Sequence, residues 1–231
     1  MVARRKEALD ELAAELRSAH GIVADVAGVD LGQADGANRL FEEVRARGRE
    51  INYLVNNAGF GGHGFFHEQD LTRNLAMVDL NIKALMMLTS LFLPEMIERG
   101  SGRILNVGST AGMIPGPLQA TYHASKAFVN SFSQALANEL EDKGITVTVL
   151  APGPVATEFF DRANMLGVSG IKDNMASAHS VARFGYDAMM SGNLVAINDP
   201  KLRFLLRWVT PFLSRSRVLS MARRFSEKEA E

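Results

Sequence analysis

Short apolar runs that alternate with longer amphipathic stretches constrain the fold of this chain more than any other feature of its sequence. The runs at 51–55, 102–107 and 145–150 are rich in branched side chains and end in polar or glycine-rich turns. Between them lie stretches of ten or more residues whose apolar side chains recur at helical spacing. Strands that alternate with such helices form right-handed β-α-β units, with a parallel sheet covered on both faces. The sequence therefore predicts an α/β fold of three layers, a doubly wound parallel sheet between helices.

The alternation extends to both sides of these strands and ends before the C-terminus. We expect residues 1–198 to form one α/β domain and residues 199–231 to form a basic amphipathic segment. The further elements that the pattern predicts are strands at 1–3, 22–31 and 194–197 and helices at 4–20, 34–47, 71–99, 121–143 and 177–190.

Composition excludes several classes of function. Lys+Arg 25 and Asp+Glu 26 give a net charge of -1, so the chain has no general positive field for nucleic acid. The absence of cysteine from the sequence excludes disulfides, thiolate zinc sites and a cysteine nucleophile. The histidines show no spacing typical of metal ligands, and we expect no metal site.

The sequence predicts neither a targeting signal nor a membrane span. The longest strongly apolar stretch, 84–96, contains Pro94 and Glu95 and is too short to cross a bilayer. Charged residues begin at Arg4, which is unlike a secretory signal, and acidic residues in the first helix are unlike a mitochondrial presequence. We therefore expect a cytoplasmic protein.

A candidate catalytic group follows the strand at 102–107. Tyr122 and Lys126 are four residues apart on a predicted helix and share one face, but such a pair is common by chance. Ser109 lies at the end of the preceding strand, where ligands bind in doubly wound sheets. A nearby cation favours the phenolate, so we expect Lys126 to lower the pKa of Tyr122 from about 10. Tyr122 would then be a general acid and base, and Ser109 would hydrogen-bond a carbonyl oxygen.

Around these residues the chain resembles the classical short-chain dehydrogenase/reductase family, over about residues 1–197. Ser109 precedes Tyr122 by the family's interval, and an Asn-Asn-Ala-Gly turn at 56–59 follows a strand. Asn81 falls where the family has a helix asparagine, and residues 152–157 match the family's Pro-Gly-x-Val-x-Thr turn. The resemblance implies a Rossmann-like sheet and hydride transfer between a nicotinamide coenzyme and a carbonyl or alcohol.

The resemblance also implies roles for individual residues. Lys126 would bind the nicotinamide ribose, and Asn81 would hold a water that connects this lysine to solvent. Asn57 and Gly59 would lie beneath the adenosine ribose, and Val155 would contact the nicotinamide amide. Tyr122, Lys126, Ser109 and Asn81 together would form the catalytic set.

The sequence departs from the family at its beginning. The glycine-rich phosphate turn that the family has between its first strand and first helix is absent, and the glycines at 59–64 follow a different strand. We interpret the chain as one that lacks the first β-α unit, roughly 30 residues. The expected consequences are two exposed strand edges and a pyrophosphate without its helix N-terminus.

The predicted second strand of the family fold carries the residues that select the coenzyme. Dehydrogenases that use NAD have an acid after this strand, whereas Arg4 and Arg5 stand here and the first acid is Glu7. Two guanidinium groups suit a 2′-phosphate, so NADP(H) is preferred over NAD(H). The alternative is that both arginines begin a solvated helix. Asp30 and Leu31 would contact adenine, as the resemblance implies.

Apolar side chains in three loops predict a hydrophobic substrate, such as an acyl chain, a steroid-like ketone or an aromatic ketone. Each of them could instead anchor its own loop. His63 and His67 lie near the expected cleft but are more simply interpreted as exposed. The apolar residues expected at the mouth are Phe65, Phe66, Met113, Ile114, Phe159, Phe160, Met165 and Leu166.

The stretch 201–225 combines basic and apolar residues and has no acid. One hypothesis is an amphipathic segment on an anionic membrane surface. The alternative, which we favour, is a lid or a dimer contact near the substrate cleft, because Pro211 breaks the helical spacing. Its basic residues are Lys201, Arg203, Arg207, Arg215, Arg217, Arg223 and Arg224.

The sequence therefore favours an NADP-preferring carbonyl reductase or alcohol dehydrogenase that acts on a small hydrophobic substrate. The long helices at 71–99 and 121–143 match the family's dimer-forming pair, so we expect a homodimer or homotetramer. A catalytically silent dinucleotide-binding or scaffold protein of the same fold is the alternative. The family's longer sugar epimerases and dehydratases are disfavoured by chain length.

Overall fold

The computed structural model describes residues 1–165, 167–168 and 175–228. Its centre is a parallel sheet in the order β1-β2-β3-β6. A second pair, β4 and β5, lies beyond the ends of these strands. The strands are β1 (Tyr53–Asn56), β2 (Gly102–Val107), β3 (Ile145–Leu150), β4 (Val155–Ala156), β5 (Ala176–Ser177) and β6 (Val195–Ala196).

Helices follow the strands as the alternation predicts. The predicted helix 121–143 ends earlier, at Glu139, and continues as a short 3₁₀ turn, Glu141–Lys143. The helices are α1 (Lys6–His20), α2 (Gly36–Ala46), α3 (Leu71–Val78), α4 (Leu85–Arg99), α5 (Ala120–Glu139), α6 (Phe159–Arg162), α7 (Ala178–Met190), α8 (Pro200–Phe204) and α9 (Arg215–Ser226).

The sheet is covered on both faces, and neighbouring residues of β2 show the two sides. Ile104 belongs to the main core, which α2, α4 and α5 close over the sheet. Leu105 points the other way and packs with Val181 and Met189 of α7. Because successive side chains of a strand alternate between faces, this division establishes the predicted three-layer α/β/α arrangement.

The predicted strands at 1–3 and 22–31 are wrong as regular strands. They meet in one isolated parallel bridge between Val2 and Ala27, supported by the bond from Ala27 N to the Met1 carbonyl at 2.9 Å. Helix α1 begins at Lys6, so the chain leaves the sheet soon after Val2. Ile22 and Val23 at the start of the second segment are exposed, whereas Val26, Ala27 and Val29 further along it are buried.

One edge of the sheet is more open than the rest. Leu54 and Asn56 of β1 are buried against the main core, while Tyr53 and Val55 on the opposite face are each 51% exposed. Within the described residues, β1 forms its ladder with β2 alone.

Helices α3 and α4 join through a π-helical segment, Asp79–Ala84, into one helix over Leu71–Arg99. Length and composition alone would let this helix cross a membrane, a test that core helices also pass. This helix is the one predicted at 71–99, and the apolar stretch 84–96, judged too short to cross a bilayer, forms only its C-terminal part. Its apolar residues pack under the sheet, among them Leu88, Phe92 and Met96.

Candidate active site

A cleft of about 930 Å³ opens at the carboxyl ends of β1, β2 and β3. The residues that follow these strands form its floor, and α5 forms one wall. Segments from the C-terminal third of the chain form the opposite wall. The cleft therefore lies where doubly wound sheets bind their ligands.

Helix α5 presents its functional side chains on one face. Tyr122, Lys126 and Asn130 are four residues apart and point toward the end of β2. Asn130 Nδ2 donates to the Ser109 carbonyl oxygen at 2.9 Å, and its Oδ1 accepts from Ser109 N at 3.4 Å. A Cβ on Gly108 would lie 2.0 Å from Asn130 Oδ1, so only glycine permits this approach. The amide of Asn130 thereby fixes Ser109 relative to α5.

Ser109 lies directly beyond β2 and caps the short 3₁₀ turn that follows. Its Oγ accepts from Ala111 N at 3.0 Å. Its hydroxyl donates to the Pro152 carbonyl at 3.5 Å and lies close enough to Tyr122 to lower the pKa of that phenol. The Pro152 carbonyl after β3 accepts from Thr110 N at 3.0 Å and ties the two strand ends together. The structure thus brings the predicted serine and tyrosine together.

The environment of Tyr122 contradicts one expectation about its acidity. Burial raises the pKa of Tyr122 to about 12, and the nearby Ser109 hydroxyl opposes this only in part. Lys126 does not contribute to the shift, because its ammonium is directed at a backbone carbonyl rather than at the phenol. The ring of Phe159 lies 5.4 Å from that of Tyr122, centroid to centroid, and packs against it.

Lys126 is buried at the base of the cleft. Its Nζ donates to the Val107 carbonyl at 2.7 Å, and a Cβ on Gly59 would lie 3.6 Å from the same nitrogen. Burial lowers the pKa of Lys126 to about 8. The lysine therefore reaches the turn after β1, which sequence reasoning assigns to the coenzyme.

Asn81 lies in the π-helical segment and is almost fully buried. Its Oδ1 accepts from Phe60 N at 3.1 Å, while Nδ2 donates to the Phe60 carbonyl and to Ser125 Oγ, each at 3.0 Å. Single-turn π segments are common at functional sites, and here the segment places the amide between the turn after β1 and α5. In this structure Asn81 shapes the turn that carries Gly59.

The predicted coenzyme residues divide into two groups. Asn57, Gly59 and Val155 line the same cleft as Tyr122 and Lys126. A Cβ on Gly59 would stand 2.9 Å from Asn81 Oδ1, so the glycine leaves an open floor at this point. Asn57 and Gly59, which the resemblance assigns to the adenosine ribose, thus lie in one cavity with Val155, which it assigns to the nicotinamide amide.

The other residues predicted for the adenosine half lie apart from the cleft. Arg4 is exposed, and Arg5 forms an ion pair with Glu158 at 3.3 Å. Asp30 Oδ1 accepts from Gly32 N at 2.9 Å and closes a turn, and Leu31 is buried in the main core. Of the residues predicted for the adenosine half, the structure therefore places Asn57 and Gly59 in the cavity and leaves Arg4, Arg5, Asp30 and Leu31 outside it.

The predicted substrate mouth is partly correct. Ile114, Phe159, Phe160 and Met165 line the cleft. Phe65 and Phe66 are exposed on the 3₁₀ turn and its approach, and Met113 is half-buried outside the cleft, because their loops turn away from it. Leu166 lies outside the described residues.

The C-terminal segment forms much of the remaining wall. Sequence reasoning placed this segment near the cleft but did not predict which of its residues line it. Its lining side chains are apolar except for Thr210 and Ser226, so most of this wall excludes water. The signal was present as an alternation of apolar and basic residues in 201–225. The lining residues are Leu202, Leu205, Leu206, Thr210, Val218, Met221, Ala222, Phe225 and Ser226.

Three contacts fasten the end of α9 across the cleft. The His63 ring nitrogen Nε2 bonds to the Ser226 carbonyl at 2.6 Å, and Gln119 Nε2 donates to Ser226 Oγ at 3.4 Å. Lys228 Nζ donates to Asn164 Oδ1 at 3.2 Å. Sequence reasoning missed Gln119 and the partner of His63, because Ser226, which both contact, lies more than a hundred residues away along the chain.

Comparison with known proteins supports this arrangement. The sequence profile described as "short chain dehydrogenase" matches residues 1–165. A very-long-chain 3-oxoacyl-CoA reductase of Anas platyrhynchos is 39% identical over 164 residues, 68% of this chain and 52% of that protein. A 3-oxoacyl-[acyl-carrier-protein] reductase of Synechocystis sp. is 34% identical over 162 residues, 70% of this chain and 65% of that protein. The chain spans about half the length of most of the curated relatives it matches.

Solved structures share the fold over nearly the whole chain. A short-chain dehydrogenase from Sphingobium yanoikuyae in complex with NADPH superposes with a TM-score of 0.79 at 28% identity, covering 94% of this chain and 88% of that one. A 7beta-hydroxysteroid dehydrogenase reaches a TM-score of 0.85 at 20% identity, with 96% and 85% covered, and supports the fold alone. The similarity of fold therefore extends beyond residue 165.

Proposed function

Because the chain belongs to the short-chain dehydrogenase family, we propose that it carries the catalytic site of an NADP(H)-preferring oxidoreductase. The reaction would interconvert a hydrophobic ketone or aldehyde and its alcohol. The observation that carries this proposal is that Ser109 and Tyr122 line one apolar cleft, with the buried Lys126 beside the turn after β1.

Tyr122 would hold and deliver the proton of the reaction. When bound, the nicotinamide would supply the hydride that forms the new C–H bond. The Tyr122 hydroxyl would give its proton to the carbonyl oxygen, and Ser109 would donate a hydrogen bond to the same oxygen as negative charge develops there. A neutral phenol is the form required for this role, and the raised pKa of Tyr122 keeps it neutral. The protein alone is thus prepared for reduction.

Lys126 would hold the nicotinamide ribose and return a proton to Tyr122 after each turnover. Its pKa of about 8 lies near neutrality, so the ammonium can lose and regain a proton with little cost in free energy. Asn81 would keep the turn at Gly59 in place beneath this ribose, through its bonds to Phe60.

The coenzyme preference rests on Arg4 and Arg5. Both are exposed at the start of α1, where a 2′-phosphate would find two guanidinium groups and no carboxylate closer than Glu7 in sequence. The exposed ion pair of Arg5 with Glu158 is weak and would open for a phosphate. Asp30 and Leu31 would contact adenine through the turn that they form.

The substrate class follows from the apolar lining of the cleft. Phe159, Phe160 and the leucines of the C-terminal wall offer apolar contact, and the relatives named as 3-oxoacyl reductases make a ketone on an acyl chain the first class to test. We further propose a homodimer or homotetramer formed through the helix Leu71–Arg99 and α5, and a cytoplasmic location with contact to membranes. Helix faces exposed in the chain, such as that with Leu71 and Leu75, support the oligomer.

The test is NADPH oxidation by the full-length protein with a panel of ketones that differ in apolar length, each repeated with NADH. We expect turnover that increases with apolar length and a lower KM for NADPH than for NADH. Turnover with polar ketones alone would contradict the substrate class. A preference for NADH would contradict the role of Arg4 and Arg5.

A silent dinucleotide-binding or scaffold protein is the second candidate, favoured by one observation. Arg4, Arg5, Asp30 and Leu31, which were predicted to contact the adenosine half, do not line the cleft that holds Tyr122 and Lys126. In that case NADPH would bind, as measured by calorimetry, and no ketone of the panel would be reduced. The intact group of Ser109, Tyr122 and Lys126 makes this the weaker candidate.

A further inference from the structure

A row of exposed aromatic side chains runs along the C-terminal segment. Phe204, Trp208 and Phe212 are four residues apart on the continuous helical stretch 200–212, and we name them the aromatic face. They are 63%, 63% and 82% exposed. Large apolar side chains are rarely left in water as a contiguous row, so this face marks a site of interaction.

The aromatic face is not an unfinished part of the core. Leu202, Leu205 and Leu206 on the opposite side of the same stretch line the cleft. The helix therefore already buries one apolar side against the domain and presents a second apolar side outward. One element thus connects the cleft wall to the outer surface.

Charge identifies the partner of the face. Residues 201–225 contain seven basic and no acidic residues, although the whole chain has a net charge of -1. Lys201, Arg203 and Arg207 lie beside the aromatic side chains and are exposed. In the described ranges 1–165, 167–168 and 175–228, none of these three forms an ion pair. Asp199, the nearest acid, accepts backbone bonds at the start of α8 instead.

We propose that the aromatic face docks on an anionic lipid bilayer. Tryptophan and other aromatic rings prefer the boundary between headgroups and acyl chains, and exposed arginine and lysine side chains are attracted to anionic headgroups. A second copy of this chain fits less well, because a two-fold contact would set the basic residues of the two faces against one another. Docking here would place the C-terminal wall of the cleft next to the membrane.

The sequence provides its own reporter for this proposal, because Trp208 is the single tryptophan. Full-length protein is mixed with vesicles of phosphatidylcholine alone and with vesicles of phosphatidylcholine and phosphatidylglycerol in equal parts. With the anionic vesicles we expect a blue shift of the emission maximum and cosedimentation. Added salt reverses the electrostatic part of the binding. Neutral vesicles produce little of either effect.

Two variants separate the contributions of charge and of aromatic contact to vesicle binding, and a third is the control. Arg203→Glu/Arg207→Glu removes and reverses two charges and is expected to lower the vesicle partition coefficient by roughly tenfold or more. Phe204→Ser/Phe212→Ser retains Trp208 and is expected to reduce both binding and the blue shift. The control, Arg39→Glu/Arg183→Glu, makes the same change in net charge at exposed positions elsewhere and should bind like the unmodified protein.

Three results would overturn the proposal. One is an unchanged emission maximum with anionic vesicles, and another is equal loss of binding in the control variant. The third is a blue shift that grows with protein concentration in the absence of vesicles, because it would assign the face to a second copy of the chain. None of these results depends on oxidoreductase activity, so they stand apart from a failure of the proposed reaction.

Discussion

The two walls of the cleft are built by different means. On the α5 side, polar groups from three distant segments are buried together, and each is fixed by hydrogen bonds, as Ser109 is by Asn130. On the C-terminal side, apolar side chains such as Leu205 and Phe225 face the cleft, and a few bonds at Ser226 fasten the segment. The α5 wall depends on the directions and lengths of its hydrogen bonds, whereas the C-terminal wall depends on how its side chains pack.

Because of this difference, we expect the two walls to differ in how well they tolerate substitutions. A buried polar group left without its partner costs free energy, so the α5 wall tolerates little change. Apolar packing depends on volume and is less sensitive to which residue provides it. Reaction chemistry would therefore be determined on the α5 wall and substrate size on the C-terminal wall. Substitutions in each wall test this division, and we give them from the largest expected effect to the smallest.

The sharpest test of the α5 wall is Tyr122→Phe. It removes the proposed proton donor and leaves the ring that packs on Phe159. We expect kcat for ketone reduction by NADPH to fall by about 10²–10⁴, with NADPH binding unchanged. The matched control is Tyr53→Phe, which removes an exposed hydroxyl far from the cleft. Full activity in the Tyr122 variant would break the proposed mechanism.

Burial of Lys126 should appear in the pH dependence of stability. The pKa of Lys126 falls from 10.5 to about 8 on folding, so between these values the unfolded chain binds a proton that the folded chain has lost. The free energy of unfolding should therefore rise with pH between about 8 and 10.5, by about 3 kcal/mol in total. The measurement is the free energy of unfolding of the protein minus that of Lys126→Met across this range. Lys83→Met, at an exposed position, controls for the lost charge, and a flat difference would show that Lys126 is not buried.

Sequence reasoning predicted the α5 wall far better than the C-terminal wall. Ser109, Tyr122 and Lys126 were found because two of them share a helix face and the third ends a strand, and both features are local. The sheet of β1, β2 and β3 was predicted for the same reason. The segment around Val23 was mistaken for a strand, because its apolar residues are exposed in the structure rather than paired.

Other features depend on contacts that spacing does not reveal. The direction of the pKa shift of Tyr122 was predicted wrongly because burial outweighs a lysine that bonds to Val107 instead. Asn130 continues the face of Tyr122 and Lys126, a signal that could have been read. The contact of Ser226 with His63 joins residues 163 positions apart, which no local pattern contains.

A smaller effect is expected where the α5 wall is supported from behind. Asn130→Ala leaves the buried Ser109 N–H and carbonyl without their partner. We expect the free energy of unfolding to fall by about 1–3 kcal/mol, measured by denaturant titration. Asn193→Ala, at an exposed position, is the control. If the two variants are equally stable, the bond to Ser109 does not support the wall.

The smallest effect is expected on the C-terminal wall, from Leu205→Ala. The side chain is half-buried and lines the cleft, so its truncation should remove about 1 kcal/mol of apolar contact with a long substrate. KM for the longest ketone of the panel should rise roughly fivefold, because 1.4 kcal/mol corresponds to about tenfold. KM for a short ketone should not change, and kcat should not change for either ketone, since Tyr122 and Ser109 are unaltered. Leu219→Ala, at an exposed position on α9, is the matched control. A fall in kcat for every ketone would show that the two walls are coupled, because the shape of one would then govern the chemistry of the other.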